Sequence, residues 1–211
     1  MKDLNLGKIK PIAGFVDQSF SGSIDGDFHT ISYTLNLADD GLRNVGLIGN
    51  LSGTIKNLNI KNAKIDRSPT DEGNKSKDGN NNILAESKEM KYNSVGLLVC
   101  NLSGTVENVG VTESAINLDF GKCYVSDETN IITSSNSTNI GLLIGLVQNG
   151  SVSLCHIKSN SINVFSQKIF QISVGAVIGQ IDGGTLKGIA SNDNKLNDNS
   201  RDNSIYTPSF P

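Results

Sequence analysis

The sequence predicts an all-β protein built as a parallel β-solenoid, or parallel β-helix, of about four to five coils with inserted loops. Three observations support this fold class: a glycine-containing apolar motif recurs along the chain, apolar and polar residues alternate inside each copy, and glycine, asparagine and serine separate the short segments. The chain also lacks tryptophan and holds few aromatic residues, which disfavours a helical bundle. Because one such unit cannot bury its apolar face alone, we expect the copies to stack.

The motif consists of a glycine inside an apolar run and a second glycine that opens an alternating segment. Residues 45–65, VGLIGNLSGTIKNLNIKNAKI, closely match residues 95–116, VGLLVCNLSGTVENVGVTESAI, and two weaker copies follow. The spacing between copies is unequal, which places insertions between the coils and not within them. The lead glycines are Gly46, Gly96, Gly141 and Gly175, and the second glycines are Gly53, Gly104, Gly150 and Gly184.

The alternating segments align residue by residue, which predicts that equivalent apolar side chains stack in one core. In the last copy Ser191 takes the position of Ile60, as expected for a terminal repeat that degrades. The aligned sets are Ile55, Leu58 and Ile60; Val106, Val109 and Val111; Val152, Cys155 and Ile157; and Leu186 and Ile189, followed in the four copies by Ile65, Ile116, Ile162 and Leu196.

Residues 20–37, FSGSIDGDFHTISYTLNL, predict the first coil. Gly22 opens an alternating run, and Asp25-Gly26 forms a turn. After the turn, alternation resumes at Ile31, Tyr33, Leu35 and Leu37.

Asparagine recurs where strands are expected to bend. Asparagine tolerates left-handed backbone and can hydrogen-bond its own chain, so these residues are expected at corners and could form ladders between coils. The corner candidates are Asn57, Asn62, Asn108, Asn117, Asn160 and Asn163.

The domain organisation follows from the repeats. Residues 1–196 are expected to form a single β-solenoid domain, interrupted by insertions at 66–93 and 118–139. Residues 197–211 are expected to be a polar C-terminal tail or a cap on the last coil. Within the first insertion, the segment ILAESKEMKY could form one or two helical turns.

Several of these segments resemble the GLUG-type repeats of bacterial surface and secreted proteins, which include adhesins and the repeat regions attached to IgA-protease-like metallopeptidases. The matching segments are FSGSIDGDFHTI, VGLIGNLSGTIKNLNI, VGLLVCNLSGTVENV and, more weakly, GLLIGLVQNGSV. The resemblance covers roughly residues 20–190 without the insertions, and Asp25 and His29 fall in register with it. It implies a stalk or a binding surface, and no peptidase activity carries over because the zinc motif HExxH is missing.

The insertions are where a ligand is expected to bind, because solenoids often present their binding loops on one face. The first insertion is almost wholly polar up to Asn82, which equally suits a plain surface loop. On loop position alone, the expected ligand-binding residues are Lys75, Lys77, Asp78, Lys88, Lys91, Tyr92 and Tyr124.

Composition limits the partners and the location. A net charge of -3 gives no basic field for nucleic acid, and no apolar stretch approaches the length of a membrane span. The three cysteines, Cys100, Cys123 and Cys155, form no CxxC pair and are expected to be buried free thiols. Together with the resemblance, these features favour a cell-surface or secreted protein, although the N-terminus shows no signal peptide.

Catalysis is the weaker expectation. Parallel β-helices include polysaccharide lyases and hydrolases, and the candidate residues here would be Asp25, Asp27, Asp39, Asp40 and Arg43, but both Asp-Gly pairs are more simply explained as turns.

The remaining polar candidates also favour a structural role. The aligned column of Lys56, Glu107, Ser153 and Lys187 changes sign from coil to coil, which suits a solvated face. His29 more simply braces the first coil, and Cys155 and His156 point to opposite faces of a strand, so they form no nucleophile-base pair.

We therefore expect a non-catalytic, adhesin-like scaffold, without cofactor or metal, that presents loops to a glycan or to a host or cell-surface protein. The alternatives are a carbohydrate-active β-helix enzyme that acts on an acidic polysaccharide and an effector or intracellular structural protein. Neither the oligomeric state nor the handedness follows from the sequence.

Overall fold

The computed structural model describes residues 3–15, 17–35, 37, 44–67, 76–77, 83–84, 94–119, 138–165 and 172–198. The described part is built from β-strands, and the predicted all-β class is confirmed. The strands before the first insertion are β1 (Leu4–Ile9), β2 (Ser23–Asp25), β3 (Thr30–Leu35), β4 (Asn44–Val45), β5 (Ile48–Leu51), β6 (Thr54–Lys61) and β7 (Lys64–Arg67). The strands up to the second insertion are β8 (Ser76–Lys77), β9 (Ile83–Leu84), β10 (Ser94–Gly96), β11 (Val99–Leu102), β12 (Thr105–Thr112) and β13 (Ala115–Asp119). The remaining strands are β14 (Thr138–Gly141), β15 (Ile144–Val147), β16 (Gly150–Ser153), β17 (His156–Lys158), β18 (Ser161–Phe165), β19 (Ile172–Gly175), β20 (Ile178–Ile181), β21 (Gly184–Lys187), β22 (Ala190–Asn192) and β23 (Lys195–Asp198).

Parallel pairing stacks these strands into coils, as predicted. Strands β4, β10, β14 and β19 form one four-stranded sheet, and β5, β11, β15 and β20 form a second. A 13-stranded sheet contains the remaining strands except β8 and β9, which pair with each other in antiparallel fashion. The described residues thus form five coils: coil 1 contains β2 and β3, coil 2 contains β4–β7, coil 3 contains β10–β13, coil 4 contains β14–β18, and coil 5 contains β19–β23.

The core runs along the inside of the coils and follows the predicted alignment. Val106 pairs in register with Ile55 on one side and with Val152 on the other, and Ile116 lies likewise between Ile65 and Ile162. Each of these six side chains is at least 99% buried. Apolar side chains at equivalent positions of the motif therefore stack and join the coils into one hydrophobic core, as the repeated motif requires.

Two columns of left-handed corners bend the chain within each coil. One column contains Asn57, Asn108, Leu154 and Gly188, and the other contains Asn62, Glu113, Ser159 and Asp193, all with positive φ. The prediction of left-handed corners is thus confirmed at Asn57, Asn62 and Asn108. It is wrong at Asn117 and Asn163, which lie inside β13 and β18, where their outward side chains stack. Asn160 does lie at a corner, between β17 and β18, but the left-handed residue there is Ser159, and Asn160 is buried and donates from its side-chain amide to the Val111 carbonyl.

Replacing Leu154 by asparagine is expected to stabilise the protein by about 1 kcal/mol. Leucine at φ 55° is strained because its Cβ crowds the following carbonyl, whereas asparagine tolerates this backbone and would extend the stack of Asn57 and Asn108. The leucine side chain is 54% exposed, so little burial is lost. Thermal unfolding should shift upward by about 3 °C. Leu154→Val, which keeps an apolar group but adds β-branching, should shift it downward, and equal shifts for both variants would contradict this explanation.

The two ends of the solenoid differ. At the N-terminal end, β1 pairs with β3, and Ile12 and Phe20 form bridges to Ile48 and Leu51 of coil 2. At the C-terminal end, β23 continues to Asp198, slightly past the predicted boundary at residue 196. No helix in the described ranges is long and apolar enough to cross a membrane. The helical turns considered for ILAESKEMKY are wrong at Ile83–Leu84, which form a strand, and the rest of that segment lies outside the described residues.

Candidate binding surface

The connections between coils all leave the solenoid at the same corner. Strand β13 pairs with β7 and with β18, so the C-terminal ends of these strands are stacked. Strands β10 and β14, which start the following coils, are also paired in register. Residues 68–93 and 120–137 therefore depart and return at neighbouring levels of one corner, whereas the turns inside the coils stay short.

A column of polar side chains lines the outer face beside this corner; we call it the amide column. It consists of Asp66, Asn117, Asn163 and Asn197, one from each of four successive coils. The Asn117 amide donates to the Asp66 carboxylate at 2.5 Å, Asn163 donates to Asn117 at 2.7 Å, and Asn197 donates to Asn163 at 2.7 Å. The expectation that asparagines form ladders between coils is confirmed here and at Asn57–Asn108.

The amide column keeps hydrogen-bonding capacity after the ladder has formed. A side-chain amide carries two donor hydrogens and two acceptor lone pairs. Each ladder contact uses one hydrogen of one side chain and one lone pair of the next, so an asparagine with a neighbour on both sides keeps one hydrogen and one lone pair. Phe165 lies in register with Asp119 next to the column and is partly exposed. The surface therefore offers regularly spaced donors and acceptors with an aromatic ring at its border. This combination suits a ligand that carries many hydroxyl groups.

Most of the residues predicted to bind ligand lie outside the described residues: Lys75, Asp78, Lys88, Lys91, Tyr92 and Tyr124. Lys77 lies in the short strand β8, opposite Ile83. Sequence reasoning missed Asp66, Asn197 and Phe165. The signal was available for the first two, because each follows directly after an aligned apolar residue, Ile65 or Leu196, just as Asn117 follows Ile116.

The predicted charged column is confirmed as a solvated ladder. Glu107 pairs in register with Lys56 and Ser153, and Lys187 follows Ser153. Asp25 heads this column, where its carboxylate lies 3.1 Å from the Lys56 ammonium.

The Asp25 carboxylate also forms the predicted turn, because it accepts the Asp27 N–H at 3.1 Å. This bond, together with bonds from Asn57 and Lys56, holds the pKa of Asp25 below its ordinary value. Of the other catalytic candidates, Asp39, Asp40 and Arg43 lie outside the described residues.

Cys100, Cys155 and His156 lie where the alternation of the sequence predicted. Cys100 and Cys155 are buried free thiols, whereas Cys123 lies outside the described residues. Burial raises the pKa of Cys155 to about 11, so its thiol stays protonated near neutral pH. His156 is exposed on the opposite face of the sheet.

His29 sits between two carboxylates at the N-terminal end of the solenoid. Its ring nitrogens lie 3.9 Å from Asp3 and 3.9 Å from Asp27. In the part of the chain that the structure describes, no three His, Cys, Asp or Glu side chains are grouped to hold a metal ion.

Together, these features define the protein as a β-solenoid whose long connections and amide column lie at one corner. The chain is similar to Halomucin of Haloquadratum walsbyi (strain DSM 16790 / HBSQ001), with 34% identity over 105 residues. The match covers 49% of this chain and 1% of the length of Halomucin. No protein-family model and no solved structure matches the chain.

Proposed function

We propose that this chain is a non-catalytic scaffold that binds a glycan at the amide column and the connections beside it. The observation that carries the proposal is the convergence of both long connections on one corner, directly beside four stacked polar side chains. The spacing between paired strands, about 4.8 Å, repeats the same donors and acceptors along the solenoid. A polymer of sugar units can contact several such rungs at once.

The surface favours a glycan over a protein ligand. A protein interface usually needs a central apolar or aromatic cluster, whereas the outer face of β7, β13 and β18 presents amides, hydroxyls and single charges around Phe165. We place the protein at the cell surface or outside the cell. The resemblance to GLUG-type repeats and the similarity to Halomucin support this location.

Removing the first long connection is expected to abolish or strongly weaken glycan capture while leaving stability nearly unchanged. In the test variant, residues 69–92 are replaced by SQKIFQ, the sequence that joins coil 4 to coil 5 at residues 166–171 and that corresponds to 69–92 in strand register. The ends stay at the same corner, and loop length has only a small effect on folding free energy. Binding is measured on a glycan array that includes neutral and uronate polymers, together with thermal unfolding.

Two comparison variants separate the parts of the surface. The same linker in place of residues 120–137 tests the second connection, and Asn117→Ala with Asn163→Ala tests the amide column. Loss of the fold in the first variant would contradict the role of that connection as a loop. Release of unsaturated products from a uronate polymer in the presence of Ca²⁺ would overturn the non-catalytic proposal.

A further inference from the structure

Coil 5 exposes an apolar edge, formed by β21, β22 and β23, which we call the coil 5 edge. Leu186 and Leu196 occupy inward positions in register with Val152 and Ile162. The leucines are 37% and 38% exposed, whereas Val152 and Ile162 are 0% and 1% exposed. Within the described residues, β21, β22 and β23 pair with strands of coil 4 and have no partner on their other side. Unpaired strand edges with apolar side chains are sites where another chain can add.

The N-terminal end does not offer a matching surface. There β1 already covers β3, and its register shifts between Asn5 and Lys8. A second copy stacked head to tail would meet this irregular strand, and its columns would not continue in step. Stacking of this kind would also remain open to further copies. The coil 5 edge instead has strands placed symmetrically about Ser191, so that reversal exchanges β21 with β23 and brings Leu186 to the position of Leu196 and Lys187 to that of Lys195.

We propose that the coil 5 edge is an interface between two copies of this chain, related by a two-fold axis at Ser191. With the two edges antiparallel and centred on Ser191, Leu186 lies opposite the partner's Leu196, and Leu196 lies opposite the partner's Leu186. Residues directly opposite in an antiparallel pair point to the same face, so the four leucines join the two hydrophobic cores. The interface continues the same inward stacking that already joins coil 4 to coil 5.

Among the residues between the leucines, Ser191 fits this arrangement and Lys187 opposes it. Ser191 aligns with Ile157 of coil 4, and among the described residues of this column it is the only one with a polar side chain. At the axis its hydroxyl meets the same hydroxyl of the partner. Lys187 comes to lie opposite the partner's Lys195, and this like-charge contact opposes the pairing. Added salt screens the repulsion, so the dimer should strengthen with ionic strength.

The first test is sedimentation equilibrium of the full chain over a range of concentrations. The chain has a mass of 22.4 kDa, and we expect twice this mass at high concentration, with a larger dimer fraction in added salt. Leu186→Gln combined with Leu196→Gln should weaken association at least about tenfold. Leu4→Gln combined with Leu6→Gln is the matched control, because it removes two exposed leucines from β1 at the other end of the solenoid, and it should associate like the unchanged protein. A monomer at every concentration overturns the proposal.

The second test places a cysteine at the axis. In a Cys123→Ser background, Ser191→Cys should form a disulfide-linked dimer under mild oxidation, because each Cys meets its own copy. Ser103→Cys is the control, since Ser103 is exposed at a corner of coil 3, away from the edge. Equal cross-linking of both variants, or none in either, contradicts a two-fold axis at Ser191.

Discussion

Replacing Gly104 by alanine is expected to lower the free energy of unfolding by at least about 3 kcal/mol. Coil 3 approaches coil 2 so closely at this turn that a Cβ on Gly104 would lie 2.1 Å from the carbonyl oxygen of Gly53. The obstacle is backbone, so no rotamer change can relieve the contact. The coils would have to separate, which would break the bonds from the Ser103 and Thr105 amides to the Leu51 and Gly53 carbonyls.

Urea unfolding of Gly104→Ala should therefore show a much lower midpoint than that of the unchanged protein. Ser103→Ala is the matched control, because it alters the adjacent exposed residue of the same turn. Its effect should stay within about 0.5 kcal/mol. If both variants unfolded at the same urea concentration, the close approach of the coils at Gly53 and Gly104 would be wrong.

The positions of the repeated glycines could be predicted from the sequence, but the contact that requires glycine at these positions could not. A one-dimensional alignment shows that Gly53 and Gly104 occupy equivalent positions. It does not show that the glycine of one coil lies against the carbonyl oxygen of the previous coil, because this contact depends on the distance between stacked strands. The same limit applies to Cys100, which stands where Gly49 and Gly145 stand in the neighbouring coils.

The inward residues were predictable because alternation and stacking reinforce each other. A slip of one residue would turn Ile55, Val106 and Val152 towards solvent together, so their register is strongly determined. The corners were less predictable. Asparagine marks a left-handed corner at Asn57 and Asn108, yet Leu154 takes the same backbone in coil 4 because its neighbours impose it. Sequence preference alone does not identify such a position.

The candidate site was predictable only in part, for a related reason. Position in the solenoid correctly indicates that long connections emerge together, and this follows from the repeat alone. The amide column depends on outward side chains whose sequence varies, from Asp66 in coil 2 to asparagines in later coils. Outward positions carry no apolar pattern. Only their alignment with the inward residues identifies them.

Replacing Ile116 by alanine is expected to lower the free energy of unfolding by about 3 kcal/mol. Ile116 is fully buried and packs in register between Ile65 below and Ile162 above. Coils on both sides hold its surroundings in place, so the cavity left by the missing methyl and methylene groups cannot close. The loss therefore includes both the transfer free energy of the removed groups and the cost of the cavity.

Leu196→Ala is the control within the same column. Leu196 is 38% exposed at the end of the solenoid and has a described coil on one side only, so its loss should cost about 1 kcal/mol at concentrations where the chain is monomeric. The urea midpoints of the two variants, with unchanged m-values, give the loss in free energy of unfolding for each. Equal costs at the two positions would show that coil 3 is not packed from both sides, and the continuous core of the solenoid would then be wrong. A large cost at Ile116 with a small one at Leu196 is the result that the stacked coils predict, because the two side chains have the same position in the motif and differ in the number of neighbouring coils.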